Sequence, residues 1–106
     1  MPVIKAGSLP TGNLEGAEHG ATISVILDRS EPGHGPRLHR HRYDETWVVN
    51  DGRLSFQAGE EELEAGPGDI VIVPANVPHK FTNRGPGAAS LVCIHANPTF
   101  ETEWLE

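Results

Sequence analysis

Short runs of alternating apolar and polar residues, many of them β-branched, recur along most of the chain. Segments with this period of two put successive side chains on opposite faces of a strand, and so predict half-buried strands of a sheet. The predicted strands are residues 22–28, 45–49, 53–58, 61–65, 70–73, 78–83 and 89–96. Short strands at such close spacing are typical of an all-β sandwich or barrel.

Clusters of turn-forming residues separate the predicted strands. Residues 50–52 (NDG) and 58–60 (AGE) predict hairpin turns, because Asn, Asp and Gly tolerate the positive φ that tight antiparallel turns require. Residues 66–69 and 84–87 combine Gly with Pro and interrupt the chain in the same way. Because the sequence contains no internal repeat and no linker, we expect a single domain over residues 1–106.

Only the C-terminal segment has a helical pattern. Pro98 precedes it, Thr99 is a candidate N-cap, and Phe100 and Trp104 lie four residues apart. The sequence therefore predicts one short helix over residues 99–105.

Composition supports the all-β prediction and excludes two classes of partner. Apolar residues make up 37% of the chain, and its 12 Gly and 9 Pro favour short strands joined by tight turns. The formal net charge is -7, from 15 acidic residues against 8 Lys and Arg, so the chain repels phosphate backbones and anionic lipids. We expect neither nucleic acid nor a membrane surface as a partner.

Location and assembly are predicted from what the sequence lacks. The N-terminal residues have no basic start followed by an apolar run, and no apolar stretch approaches the roughly 20 residues that span a bilayer. Cys93 is the single cysteine, which excludes an internal disulfide and a secreted disulfide scaffold. These features predict a cytoplasmic protein. Because β-barrels and sandwiches protect strand edges by closure or by pairing with a second subunit, we also expect a homodimer.

Four residues have the chemistry of a metal site. His39 and His41 lie two apart, so in an extended segment both imidazoles face one side, and Glu45 shares that side if the strand is unbroken. His79 lies in a later strand that can pair beside the first. Three imidazoles and one carboxylate suit a divalent metal such as Mn, Fe, Ni, Zn or Cu, with open positions for water or ligand. The His-x-His pair alone is equally typical of an ordinary surface strand.

The spacing around these residues resembles the cupin superfamily. Its first motif, G-x5-H-x-H-x3-E-x6-G, is matched over residues 33–52, and its second, G-x5-P-x-G-x2-H-x3-N, over residues 68–83. The matching residues are Gly33, His39, His41, Glu45, Gly52, Gly68, Pro74, His79 and Asn83. The one departure is Asn76 in place of Gly, and Asn is the residue next most able to adopt a left-handed backbone.

The resemblance implies a single small cupin domain, a double-stranded β-helix or jelly-roll barrel. It also implies one divalent metal ion held by His39, His41, Glu45 and His79, the set that strand parity and side-chain chemistry indicate. The alternative is a metal-free barrel in which these four residues are only polar lining.

Other side chains are candidates for the pocket around the metal. Trp47 and Val49 continue the parity of Glu45, and Phe81 continues that of His79, so all three can form an apolar wall; core packing explains them equally well.

The sequence positions of two polar residues near the ligands, Tyr43 and Arg37, are compatible with more than one role. Tyr43 can donate a hydrogen bond to a metal-bound species or lie at the rim. Arg37 shares the parity of His39 and can bind a substrate carboxylate, or it is solvated in a Pro-rich loop.

His95 and Cys93 share one face of the last predicted strand. If that face is inward, His95 is a candidate acid or base with an ordinary pKa of about 6.5; if it is outward, both residues belong to a surface or an interface. His19 and His34 lie in Gly-rich loops and are expected to be exposed.

Three functional hypotheses follow. The first is a metal-dependent enzyme acting on a small organic molecule, with Glu45 as ligand or proton acceptor; oxygenase chemistry is favoured over isomerase, cyclase or lyase chemistry. The second is a non-catalytic protein that uses the metal to bind a sugar or an organic acid. The third is a structural dimer with a vestigial site. Family resemblance does not choose among them.

Overall fold

The computed structural model describes all 106 residues, and nearly all its regular structure is β. The strands are β1 (Asn13–Leu14), β2 (Ser24–Ser30), β3 (His39–Arg40), β4 (Glu45–Asp51), β5 (Leu54–Ala58), β6 (Glu61–Ala65), β7 (Ile70–Val73), β8 (His79–Asn83), β9 (Ala89–His95) and β10 (Glu103–Trp104). A single 3₁₀ turn, Gly16–His19, is the one helical segment. No helix with the length and apolar character of a membrane span is present.

The strands form two antiparallel five-stranded sheets. The first sheet has the order β1-β2-β9-β4-β7, and the second has the order β10-β3-β8-β5-β6. Neighbouring strands are often distant in sequence, as with β2 and β9, which pair over their full length. This arrangement confirms the all-β fold class.

Period-two alternation locates the core between the two sheets. Glu45, Trp47 and Val49 of β4 are buried, and their neighbours Thr46 and Val48 are half-buried on the other face. The ten apolar residues of the core are Trp47, Val49, Leu54, Phe56, Ala65, Val73, Phe81, Ala89, Leu91 and Cys93. One end of this interior is polar, and it holds the candidate ligands.

All seven predicted strands are present. The first begins two residues later than predicted, at Ser24, and the others match to within about two residues at each end. The two-residue strands β1, β3 and β10 were not predicted, because such short segments show no alternation.

The predicted C-terminal helix over residues 99–105 is wrong. Glu103 and Trp104 instead form β10, which pairs with β3, and the Leu105 N–H donates to the carbonyl of Leu38 at 2.9 Å. A helix of seven residues is marginal by itself, whereas the open edge of β3 offers the backbone partners that this segment needs. Exposed Arg40–Glu103 hydrogen bonds at 2.9 and 3.1 Å accompany the pairing.

Backbone geometry explains two motif positions. Asn76, which stands where the motif has Gly, has a φ of 68°, so the left-handed conformation expected there is present. Gly52 has a φ of 83°, and a Cβ at this position would lie 2.7 Å from the Cβ of Ala89. At Gly52 both the backbone conformation and the space require glycine.

Candidate metal centre

Four buried side chains from both sheets converge at the polar end of the interior. His39 on β3 pairs with His79 on β8, whereas Glu45 begins β4 of the first sheet. The chain bends at residues 42–44, so His41 and Glu45 do not share a strand, yet both face inward. One potential ligand atom from each of the four residues lies within 4.8 Å of every other. The cluster could therefore hold a metal ion.

Each of the three imidazoles is oriented by a backbone carbonyl. The bonds join Nδ1 of His39 to O of Arg37 (2.6 Å), Nδ1 of His41 to O of Glu101 (2.8 Å) and Nδ1 of His79 to O of Val77 (2.8 Å). Because a carbonyl oxygen can only accept, each Nδ1 carries a proton, and each ring in its neutral form has its lone pair on Nε2. The fold thus fixes the tautomer that a metal ligand needs.

The carboxylate of Glu45 is oriented toward these Nε2 atoms. Its Oε1 lies 3.1 Å from Nε2 of His41 and 3.2 Å from Nε2 of His79. Its Oε2 accepts a hydrogen bond of 2.6 Å from the indole Nε1 of Trp47. Trp47 was predicted only as an apolar wall. Its N–H anchors one carboxylate oxygen and leaves the other facing the imidazoles, as outer partners of metal ligands commonly do.

The donor atoms fit a divalent cation. Lone pairs on imidazole nitrogens repel a carboxylate oxygen at this distance unless a proton or a cation lies between them. Although Nε2 of His41 is close to Glu45, it is buried and makes no hydrogen bond of acceptable geometry. A metal ion would satisfy this atom together with its neighbours, and three imidazoles with one carboxylate suit a borderline transition metal.

Electrostatics favour the metal-binding protonation states of Glu45 and His39, whereas His41 must lose a proton to bind a metal. Burial raises the pKa of Glu45, but its contacts with His41, His79 and His95 outweigh burial and hold the pKa well below its usual range. Burial lowers the pKa of His39 to about 4. For His41, burial is outweighed by the contact with Glu45 and by the hydrogen bond to the backbone, so its pKa is raised. A metal that binds here would displace a proton from His41.

His95 faces inward, as does Cys93, and its ring meets that of His41 edge-on with centroids 4.7 Å apart. Its Nε2 is 3.3 Å from Oε2 of Glu45, and its Nδ1 is 2.8 Å from the hydroxyl of Tyr43. Because the Glu101 N–H donates to the Tyr43 oxygen at 3.3 Å, we assign the tyrosine proton to the bond with Nδ1. His95 then carries its proton on Nε2, beside the carboxylate.

The cluster opens onto a cavity of about 560 Å³, within the range of small-molecule sites. His39, Glu45 and His95 line it, and so do the predicted wall residues Trp47 and Phe81. Val49 is buried in the apolar core instead of the cavity wall.

Two predicted lining residues lie elsewhere. Arg37 is exposed, and its guanidinium lies over the ring of Trp104 at 5.0 Å, outside the cavity lining. Tyr43 is buried behind the cavity, where it stacks on His41 with ring centroids 4.9 Å apart. Arg37 therefore does not face the cavity, and Tyr43 contacts the cavity-lining His95 instead of the cavity itself.

The C-terminal segment forms part of the cavity wall, which its sequence pattern did not indicate. Phe100, Thr102 and Trp104 line the cavity, and the ring of Phe100 meets that of His95 at 4.9 Å. The even spacing of these three residues was the available signal, but the four-residue separation of the aromatic rings also fits a helix. The two loop histidines, His19 and His34, are both exposed, as expected. His34 also borders the cavity.

Comparison with known proteins agrees with this architecture. A family model described as the cupin domain matches residues 27–95. An uncharacterized protein of Streptomyces coelicolor is 36% identical over 59 residues, which are 56% of this chain and 56% of that protein. The chain thus matches about half the length of this curated relative.

Solved structures show the same fold. One neighbour is an uncharacterized conserved protein with a double-stranded beta-helix domain from Klebsiella pneumoniae, at a TM-score of 0.74 and 24% identity over 80% of this chain and 76% of that one. Another is oxalate decarboxylase from Bacillus subtilis, at a TM-score of 0.77 and 21% identity over 83% of this chain and 25% of that one. The family match and the shared double-stranded β-helix lead to one conclusion: the chain belongs to the cupin family.

Proposed function

We propose that this cupin is a metal-dependent enzyme that acts on a small organic molecule. The observation that carries the proposal is the position of the ligand cluster, which is buried yet lines a cavity of about 560 Å³ through His39 and Glu45. One divalent ion (Fe, Mn, Ni, Cu or Zn) held by His39, His41, Glu45 and His79 would supply Lewis-acid or redox chemistry to a ligand in that cavity.

His95 favours an enzyme over a simple binding protein. It lines the cavity, holds a proton on Nε2 beside Glu45, and is oriented from behind by Tyr43. A site that only binds a sugar or an organic acid has no need of an imidazole whose Nδ1 is held by a buried tyrosine and whose Nε2 lies 3.3 Å from the ligand carboxylate. We infer that His95 and Glu45 move or hold a proton during the reaction.

Oxygenase chemistry is the favoured reaction class, with isomerase, cyclase and lyase chemistry as non-redox alternatives. The donor set supports Fe, Mn, Ni or Cu, all of which take part in oxygen chemistry. The structural neighbour from Bacillus subtilis contains Mn(II) centres, but at 21% identity the likeness shows the fold alone.

Dioxygen consumption tests this class. Protein loaded with Fe(II) or Mn(II) is expected to consume dioxygen with at least one member of a panel of small enols, α-hydroxy ketones and carboxylates. A His95→Gln variant should be slower by about 10²-fold at unchanged metal content, because it loses the group that transfers a proton. The matched control is His19→Gln, which changes an exposed imidazole. Consumption no faster than in metal-free protein would contradict oxygenase chemistry, and binding without any conversion would favour the binding protein.

We also propose that the protein is a homodimer formed through the outer face of the first sheet. Cross-strand register places two continuous rows of side chains on this face: Leu27, Val92, Val48 and Ile70, and Val25, Ile94, Thr46 and Ile72. None of the eight is charged, in a chain of net charge -7. Two copies repel each other least across such a surface, and apolar patches of this extent are typical of interfaces.

The N-terminal segment flanks one end of this outer face, whereas the other end has no neighbouring segment. N-terminal residues including Ile4 and Leu9 border a hollow over Val25 and Leu27, but Ile70 and Ile72 are 62% and 66% exposed on the edge strand β7. A second copy related by a two-fold axis would cover these side chains and protect the strand edge at the same time.

The proposed interface predicts the effect of charge on assembly. The wild-type protein should sediment as a dimer, and the Ile70→Lys/Ile72→Lys double variant as a monomer, because two lysines on each subunit would be desolvated at the contact. Gln57→Lys, at an exposed position on the outer side of the second sheet, is the control and should stay dimeric. A monomeric wild type at micromolar concentration would contradict the interface.

A further inference from the structure

The C-terminal segment, residues 99–105, is attached to the protein by contacts at the surface. From Glu101 onward all its residues are exposed, and none of the segment belongs to the apolar core. Glu101 forms an exposed ion pair with Arg42, and the Leu105 N–H donates to O of Leu38 at 2.9 Å. Exposed ion pairs and a two-residue strand stabilise a structure only weakly. We therefore expect this segment to detach more readily than the core strands.

One of the three metal-ligand imidazoles depends on this segment. His39 and His79 are each oriented by the backbone carbonyl two residues earlier in the chain. His41 is instead oriented by O of Glu101, 60 residues away in sequence, at 2.8 Å. The orientation of His41, unlike that of the other two rings, thus requires the C-terminal segment to be in place.

The backbone of Glu101 contacts two stacked rings at once. Its C=O accepts from Nδ1 of His41, and its N–H donates to the Tyr43 oxygen at 3.3 Å. The two rings lie 4.9 Å apart between centroids, with their planes 11° from parallel. The Tyr43 hydroxyl is in turn bonded to Nδ1 of His95 at 2.8 Å. A single backbone unit therefore orients a metal ligand directly and His95 through Tyr43.

We propose that Glu101 is a positioning residue of the metal centre, and that docking of the C-terminal segment and binding of a divalent metal stabilise each other. This inference rests on the metal site of the proposed function. In the docked state Nε2 of His41 is held 3.1 Å from Oε1 of Glu45, among the other donors. When the segment detaches, the His41 ring is free to rotate, and the docked state must form again before all four donors converge. Because such coupling is reciprocal, a bound ion favours the docked segment by the same factor.

Hydrogen exchange of the Glu101 amide measures docking in the wild-type protein, because this amide is bonded to Tyr43 only in the docked state. Saturation with Zn(II) is expected to slow its exchange about tenfold, the smallest factor by which an outer partner typically changes metal affinity. The reference is the Asp69 amide, which donates to O of Gly66 at 3.0 Å in an exposed turn. Its exchange should be the same with and without Zn(II). Equal slowing of both amides, or no slowing at Glu101, would overturn the coupling.

A pair of variants at Leu105 tests the effect of docking on metal affinity. Leu105→Pro removes the N–H that bonds Leu38, whereas Leu105→Ala keeps it and shortens only an exposed side chain. In Leu105→Pro the Glu101 amide should exchange faster, and the Zn(II) dissociation constant from chelator competition should rise about tenfold. Leu105→Ala should keep the wild-type constant. Fast exchange with wild-type affinity in Leu105→Pro would overturn the positioning role. If its exchange is unchanged, the wild-type comparison with and without Zn(II) decides the coupling.

A measurement on metal-free protein separates this inference from the proposed function. If neither Zn(II) nor another candidate ion binds, the proposed function fails, and the positioning of His41 is what remains to be tested. Nitrogen-edited NMR should show a slowly exchanging proton on Nδ1 of His41 in the wild type and in Leu105→Ala, and no such proton in Leu105→Pro. Its absence from the wild type, or its persistence where the Glu101 amide exchanges fast, would overturn the positioning role.

Discussion

A His41→Ala variant is expected to lose the stabilisation that a divalent metal gives to the wild-type protein. The Nε2 atom of His41 is one of the four converging donors, and it has no other hydrogen-bond partner. An ion at 100 times its dissociation constant that binds only the folded state stabilises it by about 2.7 kcal/mol. For a domain of this size, that free energy corresponds to a rise in melting temperature of about 10–20 °C. Thermal melts with and without Mn(II), Ni(II) or Zn(II) measure it.

The rise on adding metal, and not the melting temperature itself, is the quantity to compare. His41→Ala also removes buried volume, and that loss lowers the melting temperature with or without metal. His19→Ala changes an exposed histidine outside the cluster and should show the same rise as wild type. If metal raises the melting temperature of His41→Ala as much as that of the wild type, the ion binds elsewhere.

Replacing Trp47 with Phe is expected to reduce both stability and metal affinity. Trp47 is fully buried, packs against Phe56 with ring centroids 4.7 Å apart, and donates its N–H to Oε2 of Glu45 at 2.6 Å. The variant loses core volume and leaves a buried carboxylate oxygen without its donor, so the free energy of unfolding should fall by about 2–3 kcal/mol. Because Glu45 is no longer anchored, the metal dissociation constant should rise about tenfold.

Urea denaturation measures the first effect, and competition with a chromophoric chelator measures the second. The matched control is Phe56→Leu, which removes volume from the same aromatic cluster without touching Glu45. It should lower stability and leave the metal dissociation constant near its wild-type value. Wild-type affinity in Trp47→Phe would mean that the indole N–H does not position the carboxylate.

The features predicted well from sequence are those that short-range periodicity determines. Alternation in β4 and β9 located both strands, because one face of each is buried against the core, but in β9 it did not decide which face is inward. Fixed spacing singled out all four residues that the fold brings together, namely His39, His41, Glu45 and His79. Parity alone was not sufficient, since the strand is broken at residues 42–44 and the two parts belong to different sheets.

The features that sequence did not reveal depend on contacts between distant segments. The C-terminal segment is a strand because Trp104 pairs with His39. No local sequence pattern indicates that the edge of β3 is open for this pairing. The bond between Tyr43 and His95 likewise joins residues 52 positions apart. Arg37 shares the strand parity of His39 but precedes β3, so the alternation that assigned it to the pocket does not extend to it.

The central claim is that His39, His41, Glu45 and His79 hold one divalent metal ion. Plasma mass spectrometry on untagged wild-type protein, with His41→Ala as the blank, tests it most directly. We expect about one equivalent of a divalent transition metal in the wild type and essentially none in the variant. Equal metal content in both proteins, or a wild type that stays metal-free after incubation with each candidate ion, would contradict the claim.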